Sequence, residues 1–160
     1  MRGLEQIIAD FGPGLARVAA SYEADPMLQE DLTQEILFAI HRALPTLEKS
    51  ESLAPFVFRI AHNRAVTHVV RQAGMRRKPP IHDVDRDIAT PEQQLLAHER
   101  SERLTRAIRR LPLPYRQVMT LVLEDLSHAE IADVLGLTRT NVGVRVNRAK
   151  TQLKVLLDDG

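Results

Sequence analysis

Residues 127–153 read SHAEIADVLGLTRTNVGVRVNRAKTQL. Ser127-His128-Ala129-Glu130 matches a capping box: the serine hydroxyl accepts a first-turn amide proton, and the glutamate reaches back to the serine amide. A helix therefore starts here, with Ile131, Ala132 and Leu135 as its buried side. Gly136 can take the left-handed conformation that ends a helix, and Leu137 plugs the corner. Thr138 is then placed to cap a second helix that buries Val142, Val146, Ala149 and Leu153. Its other face exposes Arg139, Thr140, Asn141, Arg145, Arg148 and Lys150. A short helix, a glycine turn and a capped longer helix with a basic face make the helix-turn-helix plan, whose second helix enters the major groove by its N-terminal residues. Asn141 to Val146 alternates like a strand and contains Gly143, but the preceding cap and helical spacing through Leu156 favour helix. The plainer alternative is a helical hairpin that binds no DNA.

Outward from this motif, apolar residues recur at helical spacing almost throughout, which predicts an all-α fold. Leu4, Ile7, Ile8, Phe11, Leu15 and Val18 suggest a first helix, interrupted or bent near Gly12-Pro13-Gly14. A second runs from about Pro26 to Leu44, with Leu32, Ile36, Ala39, Ile40 and Ala43 as its apolar stripe. Asp31, Gln34, Glu35 and Arg42 lie outside that stripe, and Pro45 ends the helix. A third starts at Pro55 and continues to Arg71 or beyond. Gly74 to Gln94 holds Gly74, Pro79, Pro80 and Pro91 without a sustained period, and reads as a flexible linker. Helix resumes near Thr90-Pro91-Glu92, with Leu95, Leu96, Leu104, Ile108 and Leu111 as apolar positions, and another follows through Val118, Leu121 and Val122. The expected organisation is two small helical domains, residues 1–73 and 95–160, joined by residues 74–94.

The chain has 160 residues, 44% of them hydrophobic and 27% charged, enough for one or two small domains. It has no cysteine, which excludes disulfides, thiolate metal sites and cysteine nucleophiles. No apolar run reaches the roughly 18 residues of a membrane span, and Glu5 and Asp10 interrupt any signal-peptide core, so a cytoplasmic protein without membrane insertion is expected. The net charge of +1 hides segregation. Glu23 to Glu51 carries seven acids and two bases, whereas Ser52 to His82 carries six bases and no acid. Val134 to Leu157 adds five bases without an acid. Two separate basic segments suggest two polyanion contacts, although each alone also suits an ordinary solvated helix face.

The order and spacing of several short motifs resemble the extracytoplasmic-function group of bacterial RNA polymerase sigma factors, over most of the chain. Asp31-Leu32-Thr33-Gln34-Glu35 looks like the acidic motif of region 2, and Phe56 through Arg64 like its promoter-melting helix. Leu111-Pro112, Arg116-Gln117-Val118, Leu126-Ser127, Glu130-Ile131-Ala132, Leu135-Gly136, Asn141-Val142 and Arg145 through Lys150 follow region 4.

The resemblance implies a non-catalytic promoter-specificity subunit whose partners are core RNA polymerase and promoter DNA, with no cofactor or metal. Asp31, Gln34 and Glu35 would bind the coiled coil of the largest polymerase subunit. Lys49, Ser50, Phe56, Arg59, Asn63, Arg64, His68 and Arg71 would capture unstacked bases of the minus-ten element, a task needing stacking surfaces and cations. Helical spacing equally allows Phe56 or Phe58 a place in the core. Arg139, Thr140, Asn141, Arg145 and Arg148 would read or grip the minus-35 element. Phe56 stands where relatives have tryptophan. Gly143 stands where they carry a base, which implies one fewer phosphate contact. The linker's Asp83, Asp85 and Asp87 would mimic nucleic-acid charge near the catalytic cleft, or simply keep the linker soluble. Many relatives are held by an anti-sigma factor, but no residue here marks such a partner.

A free-standing helix-turn-helix regulator is the alternative, but it leaves the acidic helix followed by a basic aromatic one unexplained. An enzyme is disfavoured because His62 with His68, His128 with Glu130, and the linker aspartates have no recognised ligand spacing. The chain also lacks a phosphate-cradling loop and a nucleophile elbow.

Overall fold

The computed structural model describes residues 3–48, 52–75 and 92–159, with side chains described outside 92–97. In chain order the helices are α1 (Leu4–Tyr22), α2 (Pro26–Ala43), α3 (Leu53–Met75), α4 (Glu92–Arg109), α5 (Leu113–Leu123), α6 (His128–Leu135) and α7 (Arg139–Asp159), with a 3₁₀ turn at Leu44–Thr46. No strand occurs among the described residues.

Helices α1, α2 and α3 pack on one another as a first unit. Its core draws Ile7, Leu15, Val18 and Ala19 from α1, Leu32, Ile36 and Ile40 from α2, and Val57, Ala61 and Ala65 from α3. These spacings of three and four put each set on one helix face, and burying each large aliphatic side chain stabilises by roughly 1.5–3 kcal/mol. Of the interruption or bend expected near Pro13, the interruption does not occur: helix α1 is continuous through that residue. Ala9 and Pro13 are both exposed, so water can reach the carbonyl that the proline leaves without an amide partner. Ile8, expected on the apolar stripe, is exposed.

The Asp25 carboxylate caps α2 by accepting from the Met27 amide at 2.9 Å, and Pro26 occupies the first turn, where no amide is required. The α-helix stops at Ala43, and Pro45 lies within the 3₁₀ turn beyond it. Helix α3 begins at Leu53, so Pro55 sits inside its first turn, and it runs on past Arg71 to Met75. Helices occupy both margins of the expected linker; residues 76–91, including Asp83, Asp85 and Asp87, lie outside the described residues.

Helices α4 to α7 form the second unit, with α7 packed on α4, α5 and α6. Ile108, Leu111, Val118, Leu121, Ile131, Val142, Val146, Ala149 and Leu153 are its buried apolar residues. The two units meet directly: α1 lies against α4 and α5, and α3 against α6. At that junction the Glu124 carboxylate passes so close to Gly14 that an added Cβ would stand 2.6 Å from its Oε1.

Candidate nucleic-acid interface

The helix-turn-helix forms as its sequence requires. Ser127 Oγ accepts from the Glu130 amide at 3.1 Å, while Glu130 Oε1 accepts from the Ser127 amide at 2.9 Å. Gly136 adopts φ 68°, a left-handed conformation that carries a steric cost for residues with a Cβ. Thr138 Oγ1 then accepts from the Asn141 amide at 3.1 Å and opens α7. Despite the alternating pattern, Asn141 to Val146 is helical, because Val142 and Val146 fall one turn apart and both reach the core. Opposite them, Arg139, Thr140, Asn141 and Arg148 are exposed and Arg145 is half-buried. Gly143 faces His128, 3.9 Å from the place its Cβ would occupy.

Helix α3 divides the expected minus-ten residues into two groups. Asn63, Arg64 and Arg71 are exposed, and Arg59 is half-exposed. Phe56 and His68, expected to face DNA, are instead 8% and 5% exposed and belong to the interior. The reason is periodicity: Val57, Ala61, Ala65 and His68 follow one buried stripe, and Phe56 and Phe58 flank its start. Phe58 meets Phe11 edge to face at 6.0 Å between ring centroids. His68 Nε2 lies 2.8 Å from Glu23 Oε1, so its polar end is used internally. Lys49 and Ser50 lie outside the described residues. His62 is half-buried, and desolvation pushes its imidazole down to about 4, which keeps the ring neutral at neutral pH.

The third face lies on α2. Asp31, Gln34 and Glu35 are all exposed there, while Leu32, Ile36 and Ile40 point inward. The exposed stripe is longer than the sequence motif, because Met27 and Phe38 continue it at helical spacing and are 77% and 62% exposed. The Arg42 guanidinium covers the Phe38 ring at 5.7 Å. Sequence reading passed over both residues, although the intervals 27–31, 31–35 and 34–38 were available as a signal. Glu35 also approaches Arg71 of α3 at 3.8 Å, which sets the acidic face beside the cationic one.

None of these faces gathers three or more described His, Asp or Glu side chains into a metal-binding arrangement. No described helix is long and apolar enough to cross a membrane.

A helix-turn-helix with a free basic face, joined to a helical unit with adjoining acidic and cationic faces, defines a two-part helical DNA-binding protein. Residues 7–74 match Sigma-70 region 2, and residues 101–153 match Sigma-70, region 4. The chain is 31% identical over 134 residues to the ECF RNA polymerase sigma-E factor of Escherichia coli K12, covering 75% of this chain and 69% of that protein. It therefore belongs to the extracytoplasmic-function group of the sigma-70 family and is an RNA polymerase sigma factor acting in transcription initiation. The reading as a free-standing regulator is not favoured, since region 2 accounts for the whole first unit. Two solved structures share the fold at a TM-score of 0.73. CnrH in complex with the cytosolic domain of CnrY is 24% identical, with 98% of this chain and 88% of that chain aligned. RpoE in complex with the anti-sigma factor NepR from Bartonella quintana is 19% identical, with 96% of each aligned.

Proposed function

We propose that three faces divide the work of initiation. The α2 face of Asp31, Gln34 and Glu35 docks on core polymerase, and Phe38 extends that contact. Arg59, Asn63, Arg64 and Arg71 of α3, with Lys49 and Ser50 ahead of it, hold the backbone and unpaired bases of the minus-ten element. Phe56 and His68 support that helix from within. Arg139, Thr140, Asn141, Arg145 and Arg148 of α7 contact the minus-35 element. Residues 1–73 thus serve polymerase and the minus-ten element, and residues 95–160 serve the minus-35 element.

The observation that supports this division is the placement of polar and charged side chains on exposed faces, while the apolar stripes of the same helices build the cores. The chain contributes binding and positioning rather than bond-making chemistry, and it works in the cytoplasm on promoter DNA. RpoE is solved in complex with the anti-sigma factor NepR, and a protein of that kind is a further partner of this chain in our reading.

The test is core-polymerase affinity after charge reversal. Glu35→Lys or Asp31→Lys lowers affinity while the circular-dichroism spectrum and unfolding midpoint stay unchanged. Unaltered affinity in both variants overturns the docking assignment.

A further inference from the structure

Helix α3 is held against its neighbours unevenly along its length. Its start is fixed by shape: Val57 is fully buried, and the Phe58 ring meets Phe11 edge to face at 6.0 Å between centroids. Beyond Phe58 the buried apolar residues of α3 are two alanines, Ala61 and Ala65, with Ile60 and Val69 half-buried beside them. Methyl groups make shallow ridges and apolar contact is not directional, so the alanines set how deep the helix lies better than how it is rolled or slid. The next buried position is His68.

His68 Nε2 lies 2.8 Å from Glu23 Oε1, and both residues are almost wholly buried. The other Glu23 carboxylate oxygen accepts from the Asp25 amide at 2.8 Å, and the Glu23 carbonyl accepts from Gln29 Nε2 at 2.7 Å. Asp25 caps α2 and Gln29 lies near its start, so Glu23 is fastened to the beginning of the helix that carries Asp31, Gln34 and Glu35. Unlike methyl contact, a hydrogen bond holds over a narrow range of distance and angle, and fixing register is the best-attested use of a buried polar pair. Arg64 and Arg71 stand one turn to either side of His68, so the roll set at His68 sets theirs. The surface pair of Glu35 and Arg71, at 3.8 Å and about half exposed at each end, is too weakly held to do this.

We propose that Glu23 and His68 are positioning residues for promoter opening: their buried hydrogen bond fixes the roll and register of α3 on α2, so that a chain docked on polymerase presents its minus-ten residues in a defined place. The proposal rests on the assignment of α2 to polymerase and of α3 to the minus-ten element. Gripping unstacked bases needs groups held within about 0.5 Å of the productive geometry. Glu23 and His68 act through Arg64, Arg71 and the rest of the exposed face, without touching DNA themselves.

The experiment separates stability from opening. In the full chain the pair is replaced by apolar side chains of similar size, Glu23→Met with His68→Leu, an exchange that is often neutral or stabilising. The Asp25 amide then turns to water, since Asp25 is exposed. With saturating core polymerase, opening is read as the fluorescence rise of 2-aminopurine in the minus-ten element of a promoter identified from the chain's own transcript starts. The expected result is an unchanged urea midpoint and polymerase affinity, with opening slowed about tenfold or more, the scale of loss for groups placed about 1 Å out. His68→Gln, whose amide nitrogen stands in for Nε2, opens near the unmodified rate, whereas His68→Asn, whose amide falls short of Glu23, is slow. Unmodified opening by the folded double variant overturns the proposal, as does His68→Gln opening as slowly as that variant. Should the double variant fail to fold, His68→Asn, read well below its unfolding midpoint, decides in its place: slow opening supports the proposal and unmodified opening overturns it. An unmodified chain that binds no core polymerase defeats the underlying assignment instead.

Discussion

The Glu23 carboxylate and the His68 ring meet inside the first unit, Oε1 to Nε2 at 2.8 Å, with the two residues 2% and 5% exposed. Glu23 directly follows α1, and its second oxygen accepts from the Asp25 amide at 2.8 Å, at the cap of α2. One buried carboxylate thus ties the end of α1 and the start of α2 to the middle of α3. Removing the ring takes away the hydrogen-bond partner of one buried carboxylate oxygen, at a cost of about 1–3 kcal/mol. His68→Ala should lower the urea unfolding midpoint by that order. A residue that instead faced DNA would lower promoter affinity and leave the midpoint unchanged.

His62 gives the fold a defined response to acid. Its pKa is depressed from 6.5 to about 4 by desolvation, so between those values the unfolded chain binds the proton and the folded chain does not. The contribution of His62 to stability is whole above pH 6.5 and is lost as pH falls toward 4, amounting to about 2 kcal/mol by pH 5. His62→Gln should flatten this part of the stability profile. An unchanged slope between pH 7 and pH 5 would place the acid response elsewhere.

The two helix caps of the DNA-reading motif can be weighed separately from the reading itself. Ser127→Ala and Thr138→Ala should each cost about 1 kcal/mol of unfolding free energy, because each leaves a first-turn amide without its side-chain acceptor. Gly136→Ala adds strain of about 1–2 kcal/mol at φ 68°. Urea titration of the three variants checks all of these values.

On α7, Asn141→Ala and Arg148→Ala should part in kind. Loss of a base-edge contact at Asn141 costs about 1–3 kcal/mol on the preferred sequence and relaxes preference at one position. Loss of a phosphate contact at Arg148 weakens binding to all sequences alike and reduces the salt slope by about 1. Affinities measured on matched and scrambled duplexes at several salt concentrations separate the two outcomes.

Much of the second unit was legible because its information is local. A capping box, a left-handed glycine and a run of apolar residues at 142, 146, 149 and 153 lie within one short stretch, and local hydrogen bonding outweighed the strand-like alternation at 141–146. At Pro13 the sequence left interruption and bend open, and helix α1 runs on without interruption; which outcome a proline gives depends on whether the freed carbonyl meets water, a fact of tertiary placement. For His68, the interval from Val57 through Ala61 and Ala65 held the sign of burial, and family position pointed the other way. Its partner Glu23 is 45 residues distant, and Arg17 and Glu124 are 107 apart, so neither pairing had a local trace. Phe38 was hidden differently: an aromatic reads as apolar in sequence, and its exposure beside Asp31 and Glu35 emerges only when the helix faces are assigned.

The most direct test of the account is reconstitution of this chain with bacterial core RNA polymerase on a genomic DNA library, followed by sequencing of transcript 5′ ends. The account predicts sharp starts that share two upstream elements and disappear when Glu35→Lys is used. Specific binding to duplex DNA without binding to core polymerase, or starts that are the same with and without the chain, would contradict it.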